Sequence, residues 1–257
     1  MTPQQTLDNE ILDSEDIVTE LDISHLVIED DTPVDNFQSA QQQRLLVEPL
    51  YSGKALPLPF IADANVGLFY KLKGDPIVPD VLLSLGVQRA TDYFERRYRS
   101  YFVWEFGKVP EACIEIVSNQ EGDELTLSKK SQQKGKSLRR QEIYARIGVR
   151  YYVVFDPLQQ IRGPNEMDGA FLRVWMLAGM NYREVTSPEG LLEVGQWIWL
   201  EDVGVGLTLW EGQFEEDVTR LWLRWCDRDG QIIPTGAERA DRLAEKLRSM
   251  GIDPDEV

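Results

Sequence analysis

One histidine and two cysteines in 257 residues remove several chemistries at once. His25 stands alone in an acidic stretch, which argues against a His-based nucleophile triad and against a His-rich zinc site. Cys113 and Cys226 lie in apolar surroundings and do not read as a disulfide framework. No apolar run approaches the ~20 residues that cross a bilayer, so no membrane partner is expected. The N-terminus lacks the basic-then-apolar order of a signal peptide, and a cytoplasmic protein is the natural reading. Glycine is present, but Gly204-Val205-Gly206-Leu207 has neither the lysine of a phosphate loop nor the dinucleotide spacing.

Positive charge is also scarce. The chain has 27 Lys and Arg against 44 Asp and Glu, a net charge of −17. Phosphate binding rests on Lys and Arg, so this balance argues at first against a nucleic-acid partner. Its distribution weakens the objection. Residues 1–43 hold eleven acids and no Lys or Arg, so without them the remainder carries −6. From Ser128 to Arg150 the balance reverses: Lys129, Lys130, Lys134, Lys136, Arg139, Arg140, Arg146 and Arg150 face only Glu142. That run reads either as a solvated helix face or as a grip on phosphates, with the acidic segment able to lie over it as a screen.

A 42% hydrophobic content with seven Trp, nine Tyr and nine Phe is ample for a packed core. Residues 1–34 are expected to be a flexible acidic leader, residues 35–234 a folded domain, and residues 235–257 an amphipathic C-terminal helix. Within the domain, Asn36–Tyr51 has helical spacing, with Asn36 or Ser39 as its cap. Pro57–Tyr70 reads as strand, turn, strand; Ile77–Leu85, Tyr101–Phe106 and Ala112–Ser118 read as strands, the last two joined by a turn at 107–110. A helix from about Leu127 to Ile147, stopped at Gly148, leads into the strand Arg150–Phe155. This strand–helix–strand order is the signature of a parallel crossover. Leu172–Leu177, Asn181–Val185, Gln196–Leu200 and Leu207–Leu209 follow as short strands, expected to extend the same sheet antiparallel with Trp175, Trp197, Trp199 and Trp210 in the core. The C-terminal helix carries Ala237, Ala240, Leu243, Ala244 and Leu247 on one side, a face that docks on the body or pairs with another copy in a homodimer.

Two carboxylates interrupt this apolar pattern. Asp80 opens one strand and Glu115 lies inside another. An ionised carboxylate in such a segment is costly unless a cation or donors answer it. The pair could converge across adjacent strands on a divalent metal, an arrangement that suits phosphodiester hydrolysis, or each could be satisfied structurally. Glu124 suits either a metal ligand or a helix N-terminus. Gln42, on the first helix, could approach the same place, although a solvent-facing glutamine is the simpler reading.

In their order, the segments 79–87, 104–119 and 142–157, then the β-rich end and the helix 239–248, resemble the Uma-type putative endonucleases of the PD-(D/E)xK superfamily. The resemblance covers roughly residues 36–257 and is strongest from Pro79 to Pro157. It implies an α/β restriction-endonuclease-like fold: a mixed central sheet flanked by helices, with added antiparallel strands and a C-terminal helix. It also implies metal-dependent hydrolysis of DNA, with Asp80, Glu115 and the main-chain carbonyl of Ile116 holding Mg²⁺ or Mn²⁺. Two or three oxygen donors suffice for such an ion, which keeps much of its water.

The superfamily pattern has Lys two residues beyond the Glu, and here that residue is Val117. In a strand Glu115 and Val117 share a face, so an apolar side chain occupies the place of the amine. The resemblance implies a basic residue from the next helix instead. Counting forward from Glu115 gives Lys129, which is favoured; counting back from Tyr144 gives Arg140; Lys134 or Lys136 could also serve. The alternative function is a non-catalytic nuclease fold that binds nucleic acid or a protein partner.

Overall fold

The computed structural model describes residues 36–92, 94–118, 140–162, 167–186 and 192–254. The acidic leader, Glu124, Lys129, Lys134 and Lys136 therefore lie outside the described residues, as does the expected helix before Arg140. The chain order is α1 (Phe37–Ser52), β1 (Phe60–Ala64), β2 (Leu68–Phe69), β3 (Val81–Leu85), a single 3₁₀ turn at Arg96–Tyr98, β4 (Tyr101–Phe102), α2 (Val103–Phe106) and β5 (Ala112–Ile116). Then follow α3 (Arg140–Ile147), β6 (Tyr151–Phe155), β7 (Leu172–Ala178), β8 (Asn181–Glu184), β9 (Trp197–Leu200), β10 (Val205–Gln213), β11 (Thr219–Cys226) and α4 (Gly236–Ser249).

Six strands make the central sheet, in the order β1-β3-β5-β6-β7-β8. Only β5 and β6 run parallel; the other neighbours are antiparallel. That parallel pair is the expected crossover. Its helix ends at Gly148, which takes a φ of +94° that glycine alone adopts without strain, and whose N–H closes on the carbonyl of Tyr144.

Strand alternation gives the sheet two apolar faces. On one face Val81, Leu83, Ala112, Ile114, Val153 and Phe155 pack with Leu46 and Leu50 of α1 and with Leu207, Leu209, Leu223 and Trp225. On the other, Leu82, Cys113, Tyr152 and Val154 pack with Ile143 and Tyr144 of α3 and with Tyr101. A sheet covered on both faces is why β5 and β6 are continuous apolar runs rather than alternating ones.

Several expectations are corrected. β9 and β10 do not extend the central sheet; with β11, a strand not expected from the sequence, they form their own antiparallel sheet, in the order β11-β10-β9. Strand periodicity marks a strand but says nothing of which neighbour it pairs with. Tyr101–Phe106 is a two-residue strand followed by a helical turn, not one strand, because the chain bends there toward Gly107, held at φ +71°. Of the four tryptophans expected in the core, Trp197 is 44% exposed; the fully buried ones are Trp222 and Trp225.

α1 lies between the two sheets. Asn36 caps it by accepting from the Ser39 N–H. The Gln42 side chain, fully buried rather than solvent-facing, donates to the Leu223 carbonyl at 2.8 Å and accepts from the Leu223 N–H at 3.0 Å, completing the exposed backbone of β11. The Trp225 indole donates to the Leu46 carbonyl.

α4 begins with a capping box between Thr235 and Glu238. Glu238 also takes both terminal nitrogens of buried Arg224, at 2.9 and 2.7 Å. Among the described residues the hydrogen bonds that tie α4 to the body come from its first turn; none of its residues is buried, and Leu243 is 62% exposed. Among the described residues no helix is long and apolar enough to cross a membrane. The architecture is the expected α/β class: a mixed central sheet flanked by helices, with an antiparallel addition and a C-terminal helix, consistent with the restriction-endonuclease-like fold.

Candidate active site

β3 and β5 run antiparallel with Val81 opposite Ile114 and Leu82 opposite Cys113. Continued by one residue, this register sets Asp80 opposite Glu115. Both share the face of Leu82 and Cys113, the side covered by α3, so the two carboxylates approach one another there. Their charges act on each other.

The donors around them come from three elements, β5, α1 and α3. The Asp80 carboxylate accepts from the Ile116 N–H at 2.6 Å and from Gln43 Nε2, on α1, at 3.1 Å. Glu115, fully buried, accepts from the Tyr144 hydroxyl at 2.7 Å and from Arg140 Nη1 at 2.5 Å. The same Arg140 nitrogen donates to the Val78 carbonyl at 2.9 Å, and its buried Nε has no hydrogen-bond partner among the described residues. Both donors to Glu115 lie on α3, four residues apart, one turn of helix on a single face. Val117 is buried among apolar neighbours, with no amine in its place.

Burial, and then the charge of Glu115, push the Asp80 carboxyl up to about 7. The Ile116 N–H, Arg140 and Gln43 act in the opposite direction without cancelling them. Burial by itself lowers the proton affinity of Arg140, and the charge and hydrogen bond of Glu115, together with Tyr144 and Asp80, more than reverse it, so the guanidinium is firmly cationic. Tyr144 and Cys113, buried beside Glu115, are pushed well above their ordinary values, chiefly by burial. Among the described residues the site sets one firmly cationic side chain, Arg140, beside two facing carboxylates, and the Asp80 carboxyl is raised.

A hard divalent cation fits that donor set, since Mg²⁺ and Mn²⁺ take carboxylate and carbonyl oxygens and fill the rest of the shell with water. Asp80 and Glu115 are the carboxylates present. The Ile116 carbonyl leaves its strand on the same side as the N–H that meets Asp80. Carried two residues past Val81, the register sets Ile116 opposite Pro79, which has no N–H to give that carbonyl. No cluster of three or more His, Cys, Asp or Glu suited to a metal occurs among the described residues.

Of the residues expected from the sequence, Asp80, Glu115 and Ile116 come together; Lys129 and Glu124 lie outside the described residues. Arg140, the position reached by counting back from Tyr144, is the described cation that meets Glu115. Gln42 turns to β11, and its neighbour Gln43 approaches Asp80. The sequence reading missed Gln43, Tyr144 and Asn65. The signal was slight: Tyr144 sits four residues beyond Arg140, and Gln43 belongs to a run of three glutamines that only helix phase tells apart.

A family model described as Uma2, putative restriction endonuclease, matches residues 10–162, more than half of the chain and both carboxylates. No curated protein and no solved structure matches.

Proposed function

Because the chain belongs to the Uma2 family of putative restriction endonucleases, we propose that it hydrolyses DNA phosphodiester bonds in a metal-dependent reaction. Asp80, Glu115 and the Ile116 carbonyl would hold Mg²⁺ or Mn²⁺. The observation that carries this reading is the pair of acids facing one another across β3 and β5, with Asp80 raised toward neutrality by its burial and its partner's charge. A buried carboxylate raised by desolvation and by a specific charged partner marks a candidate functional site on physical grounds.

When bound, the metal supplies positive charge to the scissile phosphate and makes water a stronger nucleophile near neutral pH. The chain's own groups do the rest. Gln43 and the Ile116 N–H fix the Asp80 carboxylate, and Tyr144 and Arg140 fix that of Glu115. Arg140 is too basic to move a proton, so its part is electrostatic: it hydrogen-bonds Glu115 and brings a planar cation to the site, the geometry that suits a phosphate oxygen. Lys129 is proposed as an assisting amine from the chain that precedes Arg140.

Supercoiled-plasmid nicking with Mg²⁺ or Mn²⁺ tests the proposal. Wild type should nick and chelation should stop it, while Asp80→Asn and Glu115→Gln should each lose activity by roughly a hundredfold or more. Wild-type protein inert on DNA and RNA with every divalent ion ends the enzymatic reading. A second reading has its own support, because Arg140 already answers Glu115 and Val117 replaces the motif lysine: the fold then binds nucleic acid without cutting it. That case requires metal-independent DNA binding that Asp80→Asn leaves unchanged.

A further inference from the structure

Gln43 reaches Asp80 as one half of a paired amide. Its Nε2 donates to Asn65 Oδ1 at 3.2 Å as well as to Asp80 at 3.1 Å, and its Oε1 accepts from Asn65 Nδ2 at 3.0 Å. Both hydrogens of the Gln43 amide are thereby spent, and its oxygen is turned away from the carboxylate. The ionised Asp80 carboxylate, which only accepts, selects the NH₂ end of Gln43, and the Asn65 amide, turned to offer one acceptor and one donor, holds the side chain in that position. Asn65 is also tied to Asp80 through the main chain, its N–H donating to the Asp80 carbonyl at 3.2 Å.

The local backbone is built for this. Asn65 takes a φ of +54° immediately after β1. Asparagine is among the few residues other than glycine that adopt this left-handed conformation readily, so one residue both ends β1 and turns its amide toward α1. Gln43 is buried, whereas Asn65 stands at the surface. Water could satisfy Gln43 from that side, but it would not anchor the side chain to the turn that follows β1.

We propose that Asn65 is a positioning residue for the candidate metal site: through the paired amide it holds Gln43 with its NH₂ toward Asp80, and so fixes the carboxylate in the orientation that receives the cation. The inference deepens the nuclease reading and rests on it for the identity of the ligand. A partner of this kind around a metal ligand is worth roughly tenfold or more in metal affinity.

Asn65→Gly keeps the backbone conformation and removes the amide, so the variant should fold. Two measurements test the inference. In the crystal structure of metal-free Asn65→Gly, the Gln43 amide should have rotated away from Asp80, and Mn²⁺ titration calorimetry should give an affinity roughly tenfold below wild type. Asn65→Gln, with the same amide on a longer arm, should recover part of that loss. Gln43 still bonded to Asp80 in Asn65→Gly overturns the inference whatever the metal does. So does an Mn²⁺ affinity within twofold of wild type when Asp80→Asn abolishes binding. Wild-type protein that takes up no Mn²⁺ overturns the metal reading itself; the crystallographic result still decides whether Asn65 orients Gln43.

Discussion

Asp80 is held between donors that favour its charge and surroundings that oppose it, and the opposition is the stronger. Its carboxyl stands at about 7 in the folded chain against an ordinary value of 3.8. The folded protein thus holds this proton more tightly than the unfolded chain does, and protonation of Asp80 favours folding. That contribution is complete below about pH 4 and is lost as the pH rises through 7. The metal-free protein should therefore melt at progressively lower temperature from pH 5 to pH 8, as followed by scanning calorimetry. Asp80→Asn, which mimics the protonated acid, should flatten that slope, and Mn²⁺ added at pH 8 should restore wild-type stability. An unchanged slope in Asp80→Asn would place the pH dependence elsewhere. Asp80 and Glu115 were legible in the sequence because an acid in a β-branched run has no bland reading that costs nothing. Gln43 and Asn65 were not, because a surface amide and a site amide look alike until the helix phase and the turn are known.

α1 shows how two adjacent residues of one helix serve two different sheets. Side chains one residue apart diverge by about 100° on a helix, so Gln42 meets β11 while Gln43 meets Asp80. Gln42 closes both hydrogen-bonding groups of Leu223, in a region that is fully buried. Truncation leaves an N–H and a C=O without partners, each costing about 1–3 kcal/mol. Gln42→Ala should thus lose roughly 2–5 kcal/mol in urea unfolding, while Mn²⁺ affinity stays near wild type, because Gln43 points the other way. A loss below about 1 kcal/mol would mean that water replaces the amide at no great cost. The crossover β5–α3–β6 was legible because apolar β-branched runs flank a helix that ends in a glycine. The separate sheet was not. β11 carries Arg220 and Arg224 inside its apolar run, which interrupts the pattern of a buried strand; Arg224 is buried against Glu238 and lies over the Trp210 ring at 4.8 Å. A buried ion pair formed with a helix further along the chain cannot be read from the strand alone.

For the proposed nuclease the balance of charge is awkward: −17 in total, with the eleven acids of the first 43 residues all lying between Asp8 and Asp35. The family match begins at residue 10, so most of these acids belong to the stretch that identifies the chain. Their charge can act on a polyanion without contact, over a Debye length of about 10 Å at 0.1 M salt. It should lower the rate and affinity of DNA association in proportion to its closeness to the DNA path. Replacing the acids between Asp8 and Asp35 by Asn and Gln removes the repulsion without removing chain. That variant should bind a short duplex more tightly than wild type in fluorescence anisotropy at low salt, measured without divalent metal. The advantage should shrink steadily as salt rises, because screening leaves contacts between neighbours intact and abolishes action at a distance. Equal affinity at every salt concentration would show that the acidic segment lies far from the DNA, and that the −6 of the remaining chain is the charge the phosphates meet. An advantage that persists at high salt would instead mean that the acids occupy the binding surface directly and must be displaced from it.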